Sequence, residues 1–443
     1  MKTKKMLLIV IIAAVLAMGW ILAIRSASGA ETLKEQKELI TEADSLLERR
    51  IYVRAIALYE QALNMDTKRT VDIQEKLLQA YSGYEDMDSY VTLVEKRDAA
   101  GTAKEEEYLE AAKYWAAKSK WEEAVTILKK GIQKTDSQAM KDYMEEIRYP
   151  YTVRMTKYQE ILPSADNQYM PAFDGTKWGY ISPDGMNELS FIYDSATVFG
   201  SKGYAVVSQN GTYYTILKNG DWYGVNDGVA YDKKLEDVVG VSGSRILGKT
   251  EAGYSYFDYD FVPLSEKFLF DQISGNACGV AAVAKNGKWG IITNSGETVV
   301  DYVLEDVAIN SLGNAFAGNH AMVKENGSWH LIDTEGNRIG EENYADAKAP
   351  ESDEYVAVAD ATGKWGYIDQ EGNQVIPCQY ADAKSFSNHV GAVLSVTNWG
   401  YISEKNEVVI EQQYQSAQPF HKGVAQAGLL DGVALIQLKY YEE

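Results

Sequence analysis

Four stretches of this chain are near-copies of one another: Lys177-Trp178-Gly179-Tyr180-Ile181, Lys288-Trp289-Gly290-Ile291-Ile292, Lys364-Trp365-Gly366-Tyr367-Ile368 and Asn398-Trp399-Gly400-Tyr401-Ile402. A bulky indole followed by glycine, recurring at a near-fixed interval, restricts the fold to an array of small units that repeat one backbone path. Weaker copies are Trp222-Tyr223-Gly224-Val225 and Trp329-His330-Leu331-Ile332, and at Tyr254 a tyrosine takes the tryptophan's place. The aromatic positions are then 178, 222, 254, 289, 329, 365 and 399, evenly stepped except for a long step before 222 and a short one after it. Seven units are recognisable. A degenerate fragment from Gly423 to Gln437, with Val433 in the tryptophan's place, follows after one further step of the same size.

Within a unit the pattern is that of a β-meander. Val280 to Lys285 is a short strand-like run, Asn286-Gly287 is a two-residue hairpin turn that permits positive φ, and Lys288 to Thr293 returns antiparallel before Asn294-Ser295-Gly296 turns the chain again. The periodic aromatics Trp178, Trp222, Tyr254, Trp289, Trp329, Trp365 and Trp399 read as plugs between successive units. The glycines Gly179, Gly224, Gly290, Gly366 and Gly400 read as places where a neighbouring backbone or ring comes close.

These residues resemble the bacterial WG, or KWG, repeat family, whose unit reads much like Lys364 to Phe386. The resemblance covers most of 172–437. It implies an all-β repeat domain over 165–443, propeller-like with about seven units, and no catalytic residues. The units are slightly short against the roughly 40–45 residues of better-known four-stranded blades, so an open β-solenoid is the alternative.

Upstream, from Glu31 to about residue 160, the composition turns to Ala, Leu, Glu and Lys with a helical period and no proline before Pro150. The spacing of Leu39, Ala43, Leu46, Ala55, Tyr59 and Ala62 recurs further along as Tyr108, Ala112, Trp115, Ala124, Leu128 and Gly131. The shift is close to two helix-turn-helix periods of about 34 residues, and a looser copy, Leu77, Leu78, Tyr81, Tyr90 and Val94, fits between the two. The segment resembles about three tetratricopeptide repeats over 36–138 with a capping helix from Ser137 to Arg148, although Ala43 and Ala112 stand where that family has glycine. The resemblance implies a protein-interaction role; a helical stalk is the alternative.

Met6 to Ile24 is an unbroken apolar run without charge, long enough for a transmembrane helix. Lys2, Lys4 and Lys5 precede it and Arg25 alone follows closely, so residues 1–30 read as a cytoplasmic stub and anchor with the N-terminus inside and the bulk of the chain outside the cytoplasm. A signal peptide cleaved near Ser28-Gly29-Ala30 is the competing reading. The net charge of -21, from 43 basic and 64 acidic residues, argues against nucleic acid, which needs a basic surface.

Sharper motifs give way to plainer readings. Gly243 to Thr250 has the letters of a P-loop, but a strand-forming stretch follows where a phosphate-binding loop needs a helix. Asp333 and Asp369 open calcium-loop-like runs whose glycine comes fourth rather than sixth, and they align with Ser182, Asn226, Asp258, Thr293 and Ser403 as turn-capping residues. Cys278 and Cys378 fall in different units and read as unpaired strand thiols; His320, His389 and His421 read as surface loop residues. No cofactor, metal site or catalytic residue is expected. The chain reads as a membrane-anchored, exported, non-enzymatic scaffold that binds protein or peptide. A cell-wall or glycan receptor using exposed aromatics is the alternative, and a glycosidase-type propeller the remote one.

Overall fold

The computed structural model describes residues 31–65, 69–165, 168–223, 235–265 and 267–441, which form two compact units divided between Ile147 and Arg148. Among the described residues no helix is long and apolar enough to cross a membrane. The apolar run Met6 to Ile24 lies outside the described residues.

The first unit has seven helices among the described residues: α1 (31–48), α2 (Tyr52–Leu63), α3 (Thr70–Tyr84), α4 (Met87–Ala99), α5 (Glu105–Ala117), α6 (Trp121–Thr135) and α7 (Gln138–Arg148). Helices α2, α4 and α6 begin at 52, 87 and 121, so the hairpins α1/α2, α3/α4 and α5/α6 advance in nearly equal steps that match the period read from the sequence. Ala43, Ala55, Ala62, Ala112 and Ala124 have no exposed surface, which lets the paired helices approach closely. At Gly131 a side chain would meet Met140 Sδ at 2.6 Å and Tyr108 Cγ at 2.9 Å, so glycine is required where α6 is pressed against α5 and α7. The sequence reading carries the helical segment on to 160. Pro150, which has no N–H to donate, follows closely on the end of α7, and Tyr151–Met155 is a strand.

That strand belongs to the second unit, an eight-bladed all-β propeller. Seven blades follow in chain order. Blades 1 and 4 to 7 each have a two-residue first strand followed by three longer ones, as in blade 4: Gln272–Ile273, Val280–Lys285, Lys288–Thr293 and Thr298–Leu304. Among the described residues, blades 2 and 3 have three regular strands, with a bridge from Ile216 to Trp222 in blade 2 and from Tyr254 to Phe270 in blade 3. Blade 8 is built from both ends of the unit: Ser416–Ala417, Val424–Gly428 and Val433–Leu438 receive Tyr151–Met155 as the fourth strand, paired from Tyr151 with Leu438 to Met155 with Ala434. The ring is sealed by a core shared between blades 1 and 8, where Ile161, Met170 and Ile181 pack with Val424, Val433 and Leu435.

Two expectations are corrected. Eight blades replace seven units, because the fragment around Val433 is a complete blade whose missing strand lies far away in sequence. Trp222 is also out of register. In blade 2 the hairpin partners Gln209 and Thr212 correspond to Lys285 and Lys288 of blade 4, so Tyr213, not Trp222, occupies the tryptophan position. With Tyr213 and Val433 included, the positions become 178, 213, 254, 289, 329, 365, 399 and 433, and the long and short steps disappear. Trp222 instead stacks on Tyr214 with ring centroids 4.2 Å apart, and Gly224 lies outside the described residues.

Candidate functional site

The repeat residues build the frame around the site. Trp289, Trp329, Trp365 and Trp399 are 6–8% exposed and sit in cores shared with the following blade; Trp178 and Tyr254 are half-buried. The glycine after the tryptophan faces a bulge in the fourth strand, where a short step on one strand spans a longer one on the other: Trp365 pairs with Tyr380 and Tyr367 with Ile376. A side chain at Gly366 would lie 2.5 Å from the Ile376 carbonyl oxygen, and one at Gly290 or Gly400 would meet Val300 or Ile410 in the same way. Blade 5 carries His330 in this place, and there the facing strand holds Gly340, at φ 69°. The glycine has moved to the other strand.

The next position was not singled out by the sequence reading, although the tyrosine surplus was its trace. Tyr180, Tyr256, Tyr367 and Tyr401 are fully buried, and each hydroxyl donates to a carbonyl of the following blade: Thr197 at 2.9 Å, Ser274 at 2.8 Å, Ala392 at 3.1 Å and Gln418 at 2.9 Å. Tyr180, Tyr367 and Tyr401 also contact a phenylalanine of that blade, Phe199, Phe386 or Phe420, at 4.7–5.0 Å between centroids. Each of these three tyrosines therefore joins two blades through both its ring and its hydroxyl.

The loops between first and second strands meet around the axis. Ser242 of blade 3 bonds to Asn314 of blade 5 at 2.9 Å, and Ser311 of blade 5 lies 2.5 Å from His421 Nε2 of blade 8. Blades that are not neighbours can touch only near the centre of a ring, so these loops form the hub. A cavity of about 640 Å³ opens there, lined by Ser164 of blade 1, Leu312 of blade 5, Glu354 and Asp369 of blade 6, His389 and Glu404 of blade 7, and Lys422 of blade 8. Asp353, Glu354, Asp369, Glu371 and Glu404 place five carboxylates on its lining against Lys422, so the cavity favours positively charged groups.

Turn chemistry brings these side chains inward. In blades 4, 5, 7 and 8 the second strand is entered through two consecutive residues of positive φ: Cys278-Gly279, Gly318-Asn319, Asn388-His389 and Lys422-Gly423. His389 holds φ 64° in a place taken elsewhere by glycine or asparagine. Its backbone N–H donates to Glu354 Oε2 at 2.8 Å and its Nδ1 lies 3.2 Å from Glu404 Oε1. Burial works against a charged imidazole, but the hydrogen bond to Glu404 and the charge of Glu354 outweigh it, and the His389 pKa is raised despite nearby Arg148. Burial, with the negative charges of Glu404 and Asp353 added, raises the Glu354 carboxyl. Deeper in the hub, Glu351 accepts from the Ser311 hydroxyl at 2.7 Å and lies 3.4 Å from the same Nε2 of His421. The carboxylate sits on the serine side of the imidazole rather than at the far nitrogen, so this trio is a knot between blades 5, 6 and 8 and lacks the layout of a nucleophile-activating triad.

The histidines expected on surface loops are thus in the hub in two of three cases. They occupy different places in the repeat: His421 precedes its turn, His389 is the turn's second residue and His320 begins a strand. Of the other motifs, Cys278, expected in a strand, lies in a turn, and Asn226 lies outside the described residues. Arg245–Thr250 and Gly253–Phe257 are strands of one sheet, with no helix where a P-loop would need it. Asp333 and Asp369 each accept two backbone N–H groups of their own turns, at 2.7–3.0 Å. Cys278 and Cys378 are both free, Cys278 in a turn and Cys378 in a strand.

Comparison with known families agrees with the repeat pattern. The model of the WG containing repeat matches residues 178–213, 267–289, 365–393 and 399–428. The chain is a WG-repeat-containing protein. A search of curated proteins found no match. Among solved structures, a eukaryotic initiation factor is 10% identical over 65% of this chain and 87% of that one, with a TM-score of 0.42. The AfRom2 CNH domain is 10% identical over 66% and 100%, at 0.38. YCF48 bound to D1 peptide is 11% identical over 65% and 97%, at 0.31. Likeness this distant carries no functional argument. The WG-repeat propeller itself fits a repeat-based binding scaffold.

Proposed function

We propose that the protein is a non-enzymatic scaffold, anchored in the cytoplasmic membrane through Met6 to Ile24, that binds a protein or peptide outside the cytoplasm. The observation that carries this reading is the hub cavity, where loops of five blades present side chains that differ from blade to blade. The helical unit, with its evenly stepped hairpins, serves in this reading as a tetratricopeptide-like second surface. The acidic lining favours basic side chains or an N-terminal amine in the partner. The glycan alternative loses support because its best stacking candidates, Trp289, Trp329, Trp365 and Trp399, are buried.

The test is site-specific photocrosslinking in the native cell, with the reactive group at Asn388 on the cavity lining or at Val303 on an outer strand. A discrete partner trapped from Asn388 and absent from Val303 is expected. Equal labelling from both positions would overturn the hub reading. Mature protein found in the medium and beginning at Glu31 would overturn the anchor.

A further inference from the structure

Glu354, on the loop before the second strand of blade 6, His389, in the turn of blade 7, and Glu404, just after the third strand of blade 7, converge on the hub cavity. One ligand atom from each lies within 4.8 Å of the other two. We propose that Glu354, His389 and Glu404 bind a divalent transition-metal ion of the zinc class, held at the wall of the cavity.

The distances fit such an ion. Zinc bonds of about 2.0–2.2 Å to nitrogen and oxygen place neighbouring donors of a tetrahedron roughly 3.3 Å apart. His389 Nδ1 and Glu404 Oε1 already stand at 3.2 Å. The remaining separations of up to 4.8 Å close by about 1.5 Å, a movement within reach of side-chain rotation about a bound ion. The donor set decides the class of ion: one imidazole with two carboxylates suits zinc or manganese, whereas calcium and magnesium call for oxygen alone.

The surroundings orient the ligands. Arg148 lies 3.7 Å from Glu404 Oε2, leaving Oε1 turned to the imidazole. The His389 backbone N–H fixes the Glu354 carboxylate beside its own ring. Such outer contacts hold metal ligands in place. Three protein ligands leave a coordination position directed at the cavity, the arrangement of open rather than purely structural sites.

The experiment is titration calorimetry on tag-free full-length protein, stripped with chelator, using zinc chloride, manganese chloride or calcium chloride. The expected result is one equivalent of zinc or manganese per chain, at least tenfold weakened in His389→Asn and in Glu404→Gln. Asparagine tolerates positive φ, so His389→Asn removes the imidazole while preserving the turn. A single cooperative melting transition without metal, with parent-like near-ultraviolet circular dichroism, confirms that this variant folds. Binding unchanged in His389→Asn, no saturable uptake by the parent, or uptake of calcium alone each overturns the proposal.

Discussion

The glycine after the repeat tryptophan makes a steric demand that can be measured. In Gly366→Ala the new methyl would stand 2.5 Å from the Ile376 carbonyl oxygen, 2.7 Å from the Cys378 nitrogen and 2.8 Å from the Pro377 carbonyl carbon. All three are backbone atoms, so no side-chain rotation relieves the contact, and the fourth strand of blade 6 itself must move. Overpacking of this kind costs about 1–3 kcal/mol, partly offset by the roughly 0.4–1 kcal/mol that alanine gains by restricting the unfolded chain. A net loss of about 1.3 kcal/mol lowers the melting temperature of a unit this large by roughly 2 °C, read by calorimetry or near-ultraviolet circular dichroism. Gly240→Ala is the control: a side chain there meets nothing within 4 Å, and a change within about 0.5 kcal/mol is expected. Blade 5 supplies a second arm, since there His330 is accommodated by Gly340 on the facing strand. Gly366→His combined with Ile376→Gly copies that exchange and should be less destabilised than the sum of the single variants by more than about 1 kcal/mol. Gly366→Ala melting with the parent, or strict additivity of the pair, would refute the reasoning.

Other outcomes follow from the same contacts. Trp365→Ala should cost about 3–5 kcal/mol; an unchanged melt would remove the tryptophan from the core. Tyr401→Phe keeps the ring but strands the Gln418 carbonyl and should cost about 1–2 kcal/mol in denaturant titration. In the helical unit Arg97 has no exposed side-chain surface, bonds Glu107 at 2.9 Å and lies 3.5 Å from Glu75, so Glu107→Gln, which removes one of its two carboxylate partners, should destabilise by about 1–2 kcal/mol in chemical denaturation. Burial raises the tyrosines above the ordinary value near 10, Tyr259 to about 12 and Tyr180, Tyr256, Tyr367 and Tyr401 further. Above pH 10 the unfolded chain therefore releases protons that the folded one keeps. Stability then falls as pH rises, by about 1.4 kcal/mol per pH unit for each such tyrosine, and tyrosinate absorbance should appear together with loss of structure. His389 and Glu354, whose pKa values are also raised, each contribute stability that is complete below the group's ordinary value and is lost as pH rises through its folded value. In metal-free protein His389→Asn should flatten that slope above the ordinary histidine value.

The frame was legible because its demands are local. A hairpin turn, an indole and a glycine at fixed offsets write themselves into the chain again and again, and even the uneven steps on either side of Trp222 marked an alignment error that the register at Tyr213 removes. The eighth blade was illegible for the opposite reason. Its fourth strand, Tyr151–Met155, comes from the opposite end of the unit, and no periodicity links it to the strand it joins. Thr156, directly after that strand, bonds the Val433 carbonyl at 2.7 Å across a sequence separation of 277. The hub escaped notice likewise: Ser311 and His421 are separated by 110 in sequence, and their meeting depends on ring closure rather than on any spacing within a unit.

These two facts together bear on where function resides in such a ring. Eight identical blades would surround the axis with eight identical loops, and a symmetric hub offers no oriented set of groups to an asymmetric partner. Recognition has to come from residues that break the repeat. At the second turn position Gly279, Asn319 and Gly423 meet only the backbone requirement, whereas His389 meets it and adds an imidazole. After the third strand, blades 4, 5 and 6 continue with Asn294, Thr334 and Gln370, and blade 7 with Glu404. Each substitution costs little alone, because turns and loop tips tolerate change. Ring closure brings these departures together in one cavity, so in a chain of this kind the repeat identifies the scaffold and the residues that depart from it, sorted by whether they face the axis, identify the candidate site.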